Sequence, residues 1–179
     1  MGRAREIADL IGGTTPDIIL KTSDGAILNL QTSDTTVTAD SVLGAINFQA
    51  PDEASGTDAI LIGSKIEAVA EGTFSASSNA TSLVFSTASS AAAGTVSGKM
   101  TFTSGGNLII KDTDTADGSS PTITLQSGDT DIAANDVLGS INFQAPDEGT
   151  GTDAILVAAG IEAVSEGDFS SSSNATKLV

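Results

Sequence analysis

Acidic side chains are the residues of this sequence whose type and spacing come closest to chemistry. Asp112, Asp114 and Asp117 stand in DTDTADG, and Asp129 and Asp131 in GDTD. Alternate aspartates followed by glycine resemble a calcium loop, which needs oxygen ligands at fixed positions. The match fails at two of them: Ala116 occupies the fifth position and Ile123 the twelfth, where the bidentate Glu belongs. We therefore read DTDTADG as a solvated hairpin turn, for which Asp and Gly supply the backbone chemistry. The triplet Pro-Asp-Glu at 51–53 returns at 146–148 and reads as a polar turn, not a catalytic carboxylate pair. Asn79-Ala80-Thr81 and Asn174-Ala175-Thr176 fit the glycosylation sequon, here as products of a duplication.

The remaining catalytic options are removed by composition. The 179 residues include no Cys and no His, so thiolate nucleophiles, disulfides and the usual general base are absent. With no Trp or Tyr, only the six Phe could stack on a sugar ring. No Walker, dinucleotide-binding or GxSxG pattern occurs, and no cofactor is implied. The sequence points away from an enzyme. A net charge of −16, with only seven scattered Lys and Arg, argues against a nucleic-acid partner. No apolar run reaches the ~18 residues of a membrane helix. MGRAREIADLIGG lacks the apolar stretch of a signal peptide, so the expected site of synthesis is a cytoplasm.

What positions these residues is a duplicated unit. VLGAINFQAPDE at 42–53 recurs as VLGSINFQAPDE at 137–148, and IEAVAEGTFSASSNATSLV at 66–84 as IEAVSEGDFSSSSNATKLV at 161–179. The offset is 142 − 47 = 95, and 32 of the 43 positions from Val42 to Val84 are identical. A repeat of this fidelity is a repeated structural unit. The second copy stops at Val179 where the first continues, so the expectation is an N-terminal part of a longer polypeptide that starts at Met1.

Period-two alternation in AILNLQT (26–32), AINFQA (45–50), KMTFTS (99–104) and TITLQS (122–127) predicts half-buried strands. Ser23-Asp24-Gly25, Ala50-Pro51-Asp52, Ser104-Gly105-Gly106-Asn107 and Asp117-Gly118-Ser119 separate them as turns. Within AINFQA, Ile46 and Phe48 face one side and Asn47 and Gln49 the other. The Ser/Ala/Thr/Gly stretch at 73–98 is read as a surface loop plus a strand through Leu83 and Phe85. A helix is predicted only over 1–13, where Ile7, Leu10 and Ile11 form an apolar stripe ended by Gly12-Gly13. That segment is either a docking peptide, with Arg3 and Arg5 beside the stripe, or a frayed terminus. With 39% hydrophobic residues, many of them Ala, the core is thin for an isolated globule and suits chains that share one.

LVFST (83–87), followed by GKMTFTSGGNLII (98–110), resembles the "LVFST … ERMRI-SSGNVGIG" signature in repetitive shafts of tailed-bacteriophage tail fibres, particularly of marine phages. The upstream G-INF-A-DE and IEAVAEG segments resemble the other half of that unit, so the likeness covers roughly 28–179. The sequence departs from the pattern at Leu108-Ile109-Ile110. The resemblance implies a mainly β fold: tandem β-units of period 95 in an elongated homotrimeric fibre, with a short N-terminal helix. The expected organisation is a docking segment (1–13), a lead-in (14–27), a first shaft repeat (28–122) and an incomplete second one (123–179). It also implies a virion location on the tail. The N-terminus would sit on a tail, adaptor or portal-proximal protein, and a distal part would bind a host surface receptor. Arg3, Arg5, Ile7, Leu10 and Ile11 are the expected docking residues, and Ile46, Phe48, Ile141 and Phe143 the expected shared core. The alternatives are a head fibre or capsid decoration protein, or a bacterial repeat adhesin. Whether the unit is a β-helix, a β-prism or a sandwich stays open.

Overall fold

The computed structural model describes residues 20–21, 23–49, 61–88, 96–145 and 156–179. The expected helix over 1–13 and both Pro-Asp-Glu triplets lie outside these residues. The described chain is mainly β, with antiparallel pairing throughout. It divides into two compact units, Met1–Pro121 and Thr122–Val179.

The first unit is a five-stranded meander. Strands β1 (Val42–Gln49), β2 (Ile62–Ala70), β3 (Thr81–Ala88), β4 (Val96–Phe102) and β5 (Leu108–Ile110) lie in sequence order. β3 and β4 are built from Thr, Val, Phe and Met with Ser and Gly between them, side chains that suit a pleated surface. The β4–β5 connection is the turn expected at 104–107, where Gly106 takes a φ of 79° that a side chain would resist. Its backbone bonds run from Gly106 N–H to the Thr103 carbonyl and from Thr103 N–H to the Asn107 carbonyl.

In the second unit β6 (Val137–Gln144), β7 (Val157–Ser165) and β8 (Thr176–Leu178) form a three-stranded sheet in that order. Its pairings repeat those of the first unit 95 residues later. Ile46 pairs with Ile66 and Ile141 with Ile161; Ala68 pairs with Leu83 and Ala163 with Leu178. Bulges interrupt β1 at Val42/Gly44 and Phe48/Gln49, and β6 at Val137/Gly139 and Phe143/Gln144. The turn before each first strand places a non-glycine residue in left-handed backbone, Asp40 (φ 67°) and Asn135 (φ 73°), the residue types that tolerate it best. Phe74 N–H bonds the Val37 carbonyl, and Phe169 N–H bonds the Ile132 carbonyl.

Two expected strands do not form. Residues 26–32 and 122–127 carry no ladder. Each instead passes over the sheet at a glycine. A Cβ added at Gly44 would come within 2.6 Å of Leu30 Cβ, and one at Gly139 within 2.8 Å of Leu125 Cβ. Gly44 shares a face with Ile46 and Phe48, because successive residues alternate between faces. The alternation in AILNLQT therefore records one side turned toward a sheet, not pairing within it.

Candidate interaction surface

Register determines which side chains share a face. In an antiparallel sheet directly paired residues lie side by side. Across the first unit Ile46, Ile66, Phe85, Met100 and Ile110 are paired in succession, giving one apolar row through all five strands. The neighbouring row on the same face is Gly44, Ala68, Leu83, Phe102 and Leu108. Phe85 and Phe102 meet edge to face across it, with ring centroids 6.3 Å apart, an arrangement that aromatic quadrupoles favour. A third row, Phe48, Ser64, Thr87 and Ser97, turns polar beyond the ring.

The intervening residues form the other face, and it is of different chemistry. There Ala45, Glu67, Val84 and Thr101 pair in succession, and Asn47, Lys65 and Ser86 do likewise. Lys65 Nζ lies 2.7 Å from Glu67 Oε1 on this face. Both side chains are half-buried, at 23% and 11% exposure; the interest of the pair lies in where charge is placed. No charged residue enters the two apolar rows.

The apolar rows are only partly covered: Ile66, Phe85, Met100 and Ile110 are half-buried, and Leu30 packs over Gly44. Among the described residues the buried hydrophobic side chains are Ala70 and Val164, at 1% and 9% exposure. Ile46 and Phe48 are 45% and 53% exposed, and Ile141 and Phe143 are 50% and 53% exposed. Leu83, Phe102 and Leu108 are exposed as well. The four residues expected to form a shared core thus lie on the open face of their sheets, at equivalent positions in the two units. In the second unit Ile141, Ile161, Ala163 and Leu178 line a shallow apolar depression, bounded by Ile123 and Leu125 from the passing segment. The expected docking residues Arg3, Arg5, Ile7, Leu10 and Ile11 lie outside the described residues.

Sequence reasoning missed Ile66, Met100, Ile110 and Leu108 as members of the face that carries Ile46. The alternation in KMTFTS carried part of the signal, but only the register reveals which strands align. It also missed Glu71. That carboxylate accepts hydrogen bonds from Ser104 Oγ, from the Ser104 backbone N–H at 2.9 Å and from Ser82 Oγ, and so ties the end of β2 to the β4–β5 turn. The Ser104 hydroxyl, then the Ser82 hydroxyl and the Ser104 amide, hold its pKa below the usual 4.5.

The acidic segments form local turns, but DTDTADG is not the expected hairpin, since β5 before it pairs only with β4. Asp112 Oδ1 accepts from Asp114 N–H at 2.9 Å, Asp114 Oδ1 from Ala116 N–H at 3.0 Å, and Asp129 Oδ1 from Asp131 N–H at 2.9 Å. These are Asx turns, in which the side chain mimics a backbone carbonyl. Among the described residues no three acidic side chains converge as metal ligands, and no helix is long and apolar enough to cross a membrane. Within the sequons, Thr81 and Thr176 hydroxyls donate to the carbonyls of Asn79 and Asn174. No protein-family model matches the chain, and no curated protein matches it.

Proposed function

We propose that this chain is a structural virion protein, the proximal part of a homotrimeric bacteriophage tail fibre. The observation that carries the reading is the recurrence of one β-unit at an offset of 95 residues. Sequence, strand pairing, bulges and turn geometry all return together. A protein that needs a binding pocket diversifies a duplicated unit; one that needs length keeps it. Stacked copies of a unit give reach, as repeat proteins do generally. The shaft-like motifs LVFST and GKMTFTSGGNLII, at β3 through β5, support the same reading. In it, residues 1–13 dock on the tail or an adaptor through Ile7, Leu10 and Ile11, with Arg3 and Arg5 alongside. Units at about 28–122 and 123–179 space a distal receptor-binding part from the particle. The mechanism is mechanical and adhesive.

The test is the mass and shape of the purified chain, by light scattering and negative-stain electron microscopy. Rods of three times the chain mass are expected. A compact monomer would overturn the fibre reading. Deleting residues 1–13 is expected to leave the same trimer but abolish its incorporation into particles, scored by immunoblot of purified virions.

A further inference from the structure

The apolar rows need a cover, and their chemistry selects one. Sheets are stable in layers: an apolar face is buried against another element. Here each unit offers such a face, and among the described residues each buries one hydrophobic side chain, Ala70 or Val164. We infer that the face formed by Ile46, Ile66, Leu83, Phe85, Met100 and Phe102, with its counterpart around Ile141 in the second unit, is where further copies of this same chain meet. The inference rests on the fibre reading and names the surface on which the copies assemble.

Three observations choose a second copy over a different partner. First, a chain of net charge −16 repels its own kind, and the apolar rows contain no charged residue, whereas Lys65 and Glu67 stand on the opposite face. Identical chains can approach through the first face without bringing like charges together. Second, the face appears twice, with Ile46 and Phe48 matched by Ile141 and Phe143 at nearly equal exposure. A foreign partner would have to supply the same acceptor twice. A parallel copy supplies it automatically, first unit against first and second against second. Third, among the described residues only Ala70 and Val164 are buried hydrophobic side chains, and permanent interfaces between identical chains are the apolar kind that resemble a domain core cut in half. The polar row Ser64, Thr87 and Ser97 then serves as the rim.

The absence of cysteine makes a direct test possible. Leu83→Cys places one thiol on the apolar face, and Asn47→Cys places one on the opposite face. A short bismaleimide is expected to link Leu83→Cys chains into covalent dimers and to leave Asn47→Cys chains uncoupled. Phe102→Asp is expected to shift the assembly toward monomer by at least tenfold in concentration, while Asn47→Asp keeps the wild-type mass. If Phe102→Asp merely fails to fold, the Leu83→Cys crosslink still decides. Equal crosslinking from both faces, or from Asn47→Cys alone, overturns the surface while leaving a trimeric fibre intact. A wild-type chain that stays monomeric, folded or not, overturns both.

Discussion

Glu71 illustrates how much a single exposed carboxylate can organise. It joins β2, β3 and the β4–β5 turn through three donors, two from Ser104 and one from Ser82. Those donors favour the ionised form and lower its pKa from 4.5. A carboxylate whose folded pKa is depressed stabilises the fold above its unfolded pKa and loses that contribution as pH falls through the folded value. Thermal melts of the chain are therefore expected to drop as pH falls below 4.5, and Glu71→Gln is expected to flatten that part of the profile. An unchanged profile would remove the tether. Ser165 makes a second residue-scale case. It is fully buried, its Oγ accepting from Asp136 N–H at 3.0 Å and donating to the Ala133 carbonyl. The equivalent residue of the first unit is Ala70, so the position itself accepts a methyl group. Ser165→Ala is expected to lose no more than about 1 kcal/mol in urea unfolding, because the Asp136 amide keeps its bond to the Ala133 carbonyl. Neither role was legible in the sequence, since both depend on partners 29 or more residues away or on turns whose contacts only folding creates.

At the scale of elements, the sequence announced β1, β3 and β4, left β2, β5 and β7 unassigned, and misassigned two segments. VLGAINFQ alternates and forms β1, and its repeat forms β6. AILNLQT alternates just as clearly and forms none. Period two reports that alternate side chains face an apolar surface; it does not report whether the backbone pairs. In 26–32 and 122–127 that surface is the sheet itself, met at Gly44 and Gly139. This contact is falsifiable. Gly44→Ala and Gly139→Ala would each push a methyl group to 2.6 Å and 2.8 Å from Leu30 Cβ and Leu125 Cβ, which overpacking data put at about 1–3 kcal/mol. Leu30→Gly in the Gly44→Ala background is expected to recover more than it would alone, the signature of two residues in contact. Strictly additive effects in a double-mutant cycle would show that the segment does not rest on the glycine.

For the whole molecule, charge and apolar surface pull in opposite directions. Each chain carries a net −16, and its apolar rows keep Ile46, Leu83, Phe102 and Leu108 exposed. Bringing chains together concentrates negative charge while it removes apolar surface from water. The first effect is screened by salt, with a Debye length near 10 Å at 0.1 M and near 3 Å at 1 M. The second is not weakened by salt, and sulfate strengthens it. If copies assemble through the uncharged face, raising sodium chloride from 0.01 to 0.5 M must tighten the assembly, and ammonium sulfate must tighten it further. The thermal midpoint must also rise with chain concentration, because association then stabilises the folded state by mass action. Both effects are measurable on one preparation by scanning calorimetry across a salt and dilution series. An assembly held instead by ion pairs such as Lys65–Glu67 in trans would loosen with salt. A midpoint independent of concentration would mean that each chain completes its own core, which the two buried hydrophobic side chains of the described residues make difficult to picture.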